Sequence, residues 1–150
     1  AHARAADAGD EAELMERCKH QATFQWTDPA TDLGCKARTD LYDPATGDIW
    51  DVKTTAKAVN LRDMARSIKD FGYDFQLGFY RLAVGGNNQN GLAFVSKEAN
   101  EASGSYDVGY ALLSPSIINA AQSDVFACMD AVLKYDPSCD IPMIDSLPKW

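Results

Sequence analysis

Three consecutive pieces decide the fold: Lys36-Ala37-Arg38-Thr39-Asp40-Leu41-Tyr42, Asp43-Pro44-Ala45-Thr46-Gly47-Asp48 and Ile49-Trp50-Asp51-Val52-Lys53-Thr54-Thr55. The first belongs to an extended run from Cys35 to Tyr42, and the third is an extended run of its own, Ile49 to Thr55. The piece between them carries Asp, Pro and Gly, the residues of a tight turn. Two strands joined by such a turn bring Asp40 and Asp51 side by side. Side chains alternate along a strand, so Asp51 and Lys53 share one face and Val52 takes the other. Acids flanking a turn are common on protein surfaces. Ile49, Trp50 and Val52, however, make this an apolar strand, in which an aspartate calls for a reason. Two acids and an amine converging on one sheet edge suit metal-assisted phosphodiester hydrolysis. The acids hold a hard divalent cation, and the lysine steers or activates the attacking water.

The arrangement resembles the PD-(D/E)XK nuclease superfamily, and the longer match is similar to its RecE-type branch (exonuclease VIII and relatives of phage lambda exonuclease). The residues that carry it are Gly34-Cys35-Lys36-Ala37-Arg38-Thr39-Asp40 and Asp48-Ile49-Trp50-Asp51-Val52-Lys53-Thr54-Thr55. A third piece is Phe71-Gly72-Tyr73-Asp74-Phe75-Gln76-Leu77-Gly78-Phe79-Tyr80, with the Gln-x-x-x-Tyr signature of RecB- and lambda-exonuclease-like members. Phe94-Val95-Ser96-Lys97-Glu98 and Leu147-Pro148-Lys149-Trp150 resemble later parts of that family, so the similarity runs over roughly residues 20 to 150.

The resemblance implies a restriction-endonuclease-like α/β (α+β) core, with a central mixed sheet flanked by helices. It implies Mg²⁺, with Mn²⁺ as a substitute, held by Asp40, Asp51 and the backbone carbonyl of Val52, with Lys53, Gln76 and Tyr80 completing the catalytic set. It further implies a DNA exonuclease that resects linear duplex ends 5′ to 3′ and leaves a 5′-phosphate, working in phage or prophage recombination. The implied partners are a single-strand-annealing recombinase and further copies of the chain in a ring. The implied location is the cytoplasm of a bacterium or a phage-infected host.

One position and the length depart from the family pattern. Gln21 stands where a glutamate usually supplies a further metal ligand. Its amide still offers a carbonyl oxygen, so it is a further candidate ligand, and Glu16 is a candidate to compensate. The family's upstream N-terminal region, with its functional histidine, is missing from residues 1–150, and neither His2 nor His20 takes that histidine's place.

Other features are weaker on their own. Gln76 and Tyr80, at i and i+4, share a helix face. Arg62, Arg66 and Lys69 form a basic stripe at i, i+4 and i+7, suited to DNA phosphates and equally to a solvated helix face. Thr54 and Thr55 are candidates for phosphate contact, and are also ordinary strand formers.

The 150 residues, 46% of them apolar, predict one domain with a sizeable core. No stretch approaches the roughly 20 apolar residues of a membrane span. Cys18, Cys35, Cys128 and Cys139 lack a C-x-x-C pair, so zinc is not expected; the iron–sulfur cluster of some RecB-like nucleases takes three late cysteines where this sequence has two, and the four read as reduced thiols, with a disulfide as the alternative. A net charge of −8 counts against nucleic acid, since phosphate binding rests on Lys and Arg. The distribution softens this: residues 34–81 hold eight bases against seven acids, while residues 1–33 and 98–150 carry the excess acid.

Along the chain, a helix is expected over residues 5–18 and a strand from His20 to Trp26, before the two strands already described. Asn60 caps a helix through Leu61–Lys69, Gly72 interrupts it, and a second helical run spans Tyr73–Val84, stopped by Gly85-Gly86. Strands follow at Leu92–Lys97 and Tyr106–Leu113. Ser114-Pro115 opens a last helix through Leu133, and the tail from Pro137 is irregular. The order reads α-β-β-β-α-β-β-α. The competing class is a catalytically impaired DNA-binding or assembly module on the same fold.

Overall fold

The computed structural model describes Glu13, residues 15–86 and residues 88–135. Five strands form one mixed sheet: β1 (Lys19–Thr27), β2 (Gly34–Tyr42), β3 (Ile49–Thr55), β4 (Asn90–Ala99) and β5 (Tyr106–Leu113), in the spatial order β1-β2-β3-β4-β5. The pairs β1–β2, β2–β3 and β4–β5 are antiparallel, and β3–β4 is parallel. A parallel pair needs a crossover, which α1 (Leu61–Phe71) and α2 (Tyr73–Val84) supply. A third helix, α3 (Pro115–Leu133), packs against α2. The expected restriction-endonuclease-like arrangement of a mixed sheet flanked by helices is therefore present. The helix expected over residues 5–18 lies mostly outside the described residues, with only Glu13 and residues 15–17 seen as helical. Cys139 and the segment 137–150 also lie outside them. The three described thiols, Cys18, Cys35 and Cys128, are free.

Local chemistry sets the boundaries. The Asn60 side chain accepts a hydrogen bond from the Asp63 N–H at 3.0 Å and caps α1. Gly72, at φ 64°, takes the left-handed turn that ends α1 and admits α2 one residue later. Pro115 occupies the first turn of α3, where its missing N–H costs nothing. The turn between β2 and β3 closes on Asp43. Its Oδ1 accepts from the Ala45 N–H at 2.9 Å, and its backbone bonds Asp48 and Gly47. Arg17 forms an ion pair with the buried Asp43 carboxylate at 2.8 Å, tying the segment before β1 to this turn. The Ala45 N–H and Arg17 together hold the Asp43 carboxyl below its ordinary range.

The core is the inner face of β3, β4 and β5 against the helices: Ile49, Leu92, Phe94 and Leu113 meet Met64, Leu77 and Ile118. Arg81, buried at the end of α2, donates to the carbonyls of Asn88 and Gly86 and fixes the loop that leads into β4. Gly78 lets α3 approach: a β-carbon there would stand 2.9 Å from the Ala121 Cβ and 3.1 Å from its backbone carbon. Helix propensity favours alanine over glycine by about 1 kcal/mol, but overpacking against backbone costs about 1–3 kcal/mol. Gly78→Ala is therefore expected to lower the thermal unfolding midpoint, and Gly78→Val to lower it further. An unchanged or raised midpoint would refute this packing argument.

Candidate active site

β2 and β3 pair at only two positions, Leu41 with Trp50 and Tyr42 with Ile49. The next position in register would set Asp40 opposite Asp51, and there the ladder stops. The Val52 N–H, left without a strand partner on that side, donates instead to Asp40 Oδ2 at 2.8 Å. Asp40 thus completes the backbone bonding of β3 and is held beside Asp51, as the hairpin predicts.

Asp51 is 3% exposed and lies on the inner face with Ile49. Lys53 Nζ stands 2.5 Å from Asp51 Oδ2. This close ion pair is the one contact that Oδ2 makes with a cationic side chain among the described residues. Burial pushes the Asp51 carboxyl above its ordinary range; Lys53 opposes the shift, and neighbouring Asp40 adds to it. Lys53 Nζ also donates to Gln76 Oε1 at 2.7 Å, and Gln76 Nε2 donates to the Tyr80 hydroxyl oxygen at 2.7 Å. The structure therefore joins Asp51, Lys53, Gln76 and Tyr80 in one polar chain from the middle of β3 onto one face of α2, with Asp40 beside its start.

Tyr73 belongs to this group as well, although sequence reading does not assign it there. Lys53 Nζ lies 4.5 Å from its ring centroid, within cation–π range. The available signal is spacing: Tyr73, Gln76 and Tyr80 fall at i, i+3 and i+7 on one face of α2.

The remaining expected residues are placed less centrally. Gln21 lies across from Asp40 in the β1–β2 register, between the pairs His20–Leu41 and Ala22–Thr39. It is exposed, and its φ of 52° is left-handed for a non-glycine residue in a strand. Glu16 is exposed. Thr54 is exposed on the same face as Val52, away from Lys53, by strand alternation. The Thr55 hydroxyl accepts from the Lys57 N–H at 3.0 Å and is engaged in a local turn. Arg62, Arg66 and Lys69 are all exposed. On the helical wheel they lie opposite Met64 and Ser67, the buried residues of α1, and so face away from the core. Among the described residues no group of three or more His, Cys, Asp or Glu side chains is arranged to hold a metal ion. The candidate donor set is instead two carboxylates and the backbone between Asp51 and Lys53. Among the described residues no helix is long and apolar enough to cross a membrane.

No curated protein matches the chain. Among solved structures, a candidate exonuclease from Eubacterium rectale superposes with a TM-score of 0.63 at 18% identity, covering 84% of this chain and 48% of its own. A phage-related exonuclease from Haemophilus somnus 129PT superposes with a TM-score of 0.54 at 13% identity, covering 83% of this chain and 65% of its own. The chain thus spans about half to two thirds of the length of these structures, and the likeness is one of fold. The model of a PDDEXK-like domain of unknown function (DUF3799) matches residues 11–138. With most of its length so matched, and with paired aspartates and a lysine where two strands part, the chain belongs to this PDDEXK-like family.

Proposed function

We propose that this domain is a divalent-metal-dependent DNA nuclease, of exonuclease type, acting on linear ends. The observation that carries the reading is the Asp51–Lys53–Gln76–Tyr80 chain with Asp40 beside it: a buried carboxylate facing a lysine whose other contacts hold it in place. Two neighbouring carboxylates facing a single ammonium leave a negative charge in excess, which a divalent cation between them would offset. Asp40, Asp51 and the Val52 carbonyl fit Mg²⁺ or Mn²⁺, which are hard ions that take oxygen ligands. When bound, such an ion lowers the pKa of a coordinated water and offsets charge developing on the phosphate.

The side chains supply the rest. Lys53 holds its ammonium where a phosphate oxygen or the attacking water would sit, and Gln76 and Tyr80 fix its direction through successive hydrogen bonds. Tyr73 closes the ammonium's other side. Attack at a DNA end, with 5′ to 3′ polarity, a recombinase partner and a ring of copies, is the finer reading drawn from RecE-type resemblance. The solved structures named as exonucleases support its exonuclease part. A second reading, a DNA-binding module without turnover, draws on Gln21, whose exposed amide stands across from Asp40 in place of an acid.

Degradation of end-labelled linear duplex in Mg²⁺, with closed circular DNA as control, separates the readings. Linear DNA is expected to disappear while the circle persists, with Lys53→Ala slowing the loss by about 10²- to 10³-fold. Cutting of the circle would point to an endonuclease, and no cutting of either would favour the non-catalytic module.

Metal binding has a separate thermal readout. A ligand held only by the folded state raises stability by about 2.7 kcal/mol at a hundredfold excess over Kd. Mn²⁺ is expected to raise the unfolding midpoint of the wild type and leave Asp51→Asn unmoved. Equal shifts in both would remove Asp51 from the ligand set.

Without metal, pH gives the sign of the buried charge. A carboxyl raised in the folded state favours folding while protonated, and that contribution is lost as pH rises through its folded value. The midpoint of Asp51→Asn minus that of the wild type is therefore expected to increase from acid to neutral pH. A difference that stays flat would mean that Asp51 ionises in the fold as it does in the unfolded chain.

A further inference from the structure

Phe71, the last residue of α1, is 64% exposed. It continues the stripe of buried Met64 and Ser67 at helical spacing, yet stays exposed. The helix ending makes no demand on it. The Gly72 N–H bonds the carbonyls of Ile68 and Lys69, and the residues that pack where α1 gives way to α2 are Ile68 and Tyr73, both set against the core. The Phe71 ring instead lies 5.6 Å from the Tyr73 ring in a tilted contact, at an interplanar angle of 31°. Tyr73 in turn meets Phe94 in the core at 6.2 Å and sits under Lys53. On the solvent side, Lys57 Nζ is 5.9 Å from the Phe71 ring centroid, its pairing with Asp70 a loose 3.8 Å between exposed side chains. An exposed planar ring is thus anchored through one aromatic neighbour to the candidate catalytic lysine, with a second ammonium beside it.

We propose that Phe71 is a stacking platform for an unpaired base at a DNA terminus, with Lys57 meeting the adjoining phosphate, so that single-stranded or frayed ends are the favoured substrate. The inference rests on the nuclease reading for what happens to the bound strand, but not for binding itself. Every base has a π-face that an aromatic ring can take, and base–aromatic stacking is the main sequence-tolerant contact to single strands. Bases inside a duplex are stacked on both faces and a blunt end offers only the outer face of its last pair, so the platform favours unpaired strands, whose bases are free to turn onto it. Of the two ammonium groups that flank the Phe71–Tyr73 pair, Lys53 is ion-paired with Asp51, while Lys57 is held only loosely by exposed Asp70 and can turn to a phosphate.

The test is fluorescence anisotropy of the whole chain in EDTA at low salt, with a labelled oligothymidylate and a labelled blunt duplex. Phe71→Ala is expected to weaken single-strand binding roughly tenfold, Phe71→Trp to retain it, and neither to change duplex binding. Unfolding midpoints should be unmoved, since the ring lies outside the core. In cleavage of overhanging ends, Phe71→Ala should raise KM and leave kcat near the wild-type value. The proposal is overturned if the wild type binds no single strand, if Phe71→Ala leaves that affinity unchanged, or if it weakens both DNA forms equally. Phe71-dependent binding without any cleavage in Mg²⁺ would refute the nuclease reading and leave the platform standing.

Discussion

The structure is organised around a carboxylate that the fold buries at the place where two strands stop bonding. Asp51 is almost wholly shielded from water, and an ion so placed loses hydration that its ion pair with Lys53 restores only in part. What makes the position possible is the early end of the β2–β3 ladder. Had the pairing run on, Asp40 and Asp51 would face each other as an ordinary cross-strand pair, with like charges opposed. Because it stops, Asp40 turns to the Val52 N–H, and one strand opening fixes both acids. Under the proposed function, this opening is where a charged ligand would offset the two acids.

Elements remote from the opening hold it in place. Asp43 closes the turn at the paired end of β2 and β3, with Arg17 bound to it from outside the hairpin. The strands are thereby anchored at one end and free to part at the other. On the opposite side, α2 must sit at the right height for Gln76 to reach Lys53. That height is set at one end by the left-handed Gly72, in the middle by the close approach of Ala121 to Gly78, and at the far end by Arg81 gripping the loop into β4. The hydrogen bonds that aim Lys53 are short-range, but the backbone that carries them is fixed by packing across the molecule.

Much of this was legible because its causes are local. Turn residues between two β-rich runs, Asn60 before a helix, Gly72 and Gly85 at helix ends and Pro115 at a helix start each act through their own backbone, so β3, α2, β5 and α3 fall on the boundaries the sequence predicts. The i, i+4 spacing of Gln76 and Tyr80 placed them on one face for the same reason. What was not legible depends on direction in space. The basic stripe of α1 is plain on a helical wheel, yet only the packing of Met64 and Ser67 shows that it faces away from the core. The Arg17–Asp43 pair, the ring of Tyr73 under Lys53 and the left-handed backbone of Gln21 arise from tertiary contacts or a local break in pairing, for which neither residue type nor periodicity carries a signal. The middle crossover is two helices rather than one for a reason visible beforehand: a single glycine suffices to end one helix and admit the next.

The net charge of −8 is the strongest objection to a nucleic-acid substrate, and its force depends on distance. Exposed charges are screened over about 8 Å at physiological ionic strength, so a remote acidic surface contributes little to the potential at the site. Near Asp51 the exchange is local. Asp40 is engaged with the Val52 N–H, Asp51 is offset by Lys53, and Lys57 is only loosely paired. On the proposed reading, the potential met by a phosphate beside the Phe71–Tyr73 pair depends on the two ammonium groups there and on a cation between Asp40 and Asp51 to offset their charge. The remaining acids reduce long-range attraction and on-rate more than they reduce affinity once contact is made. If the substrate is DNA as proposed, an acidic surface of this kind would disfavour non-specific adhesion along the duplex and leave recognition to contacts at the site.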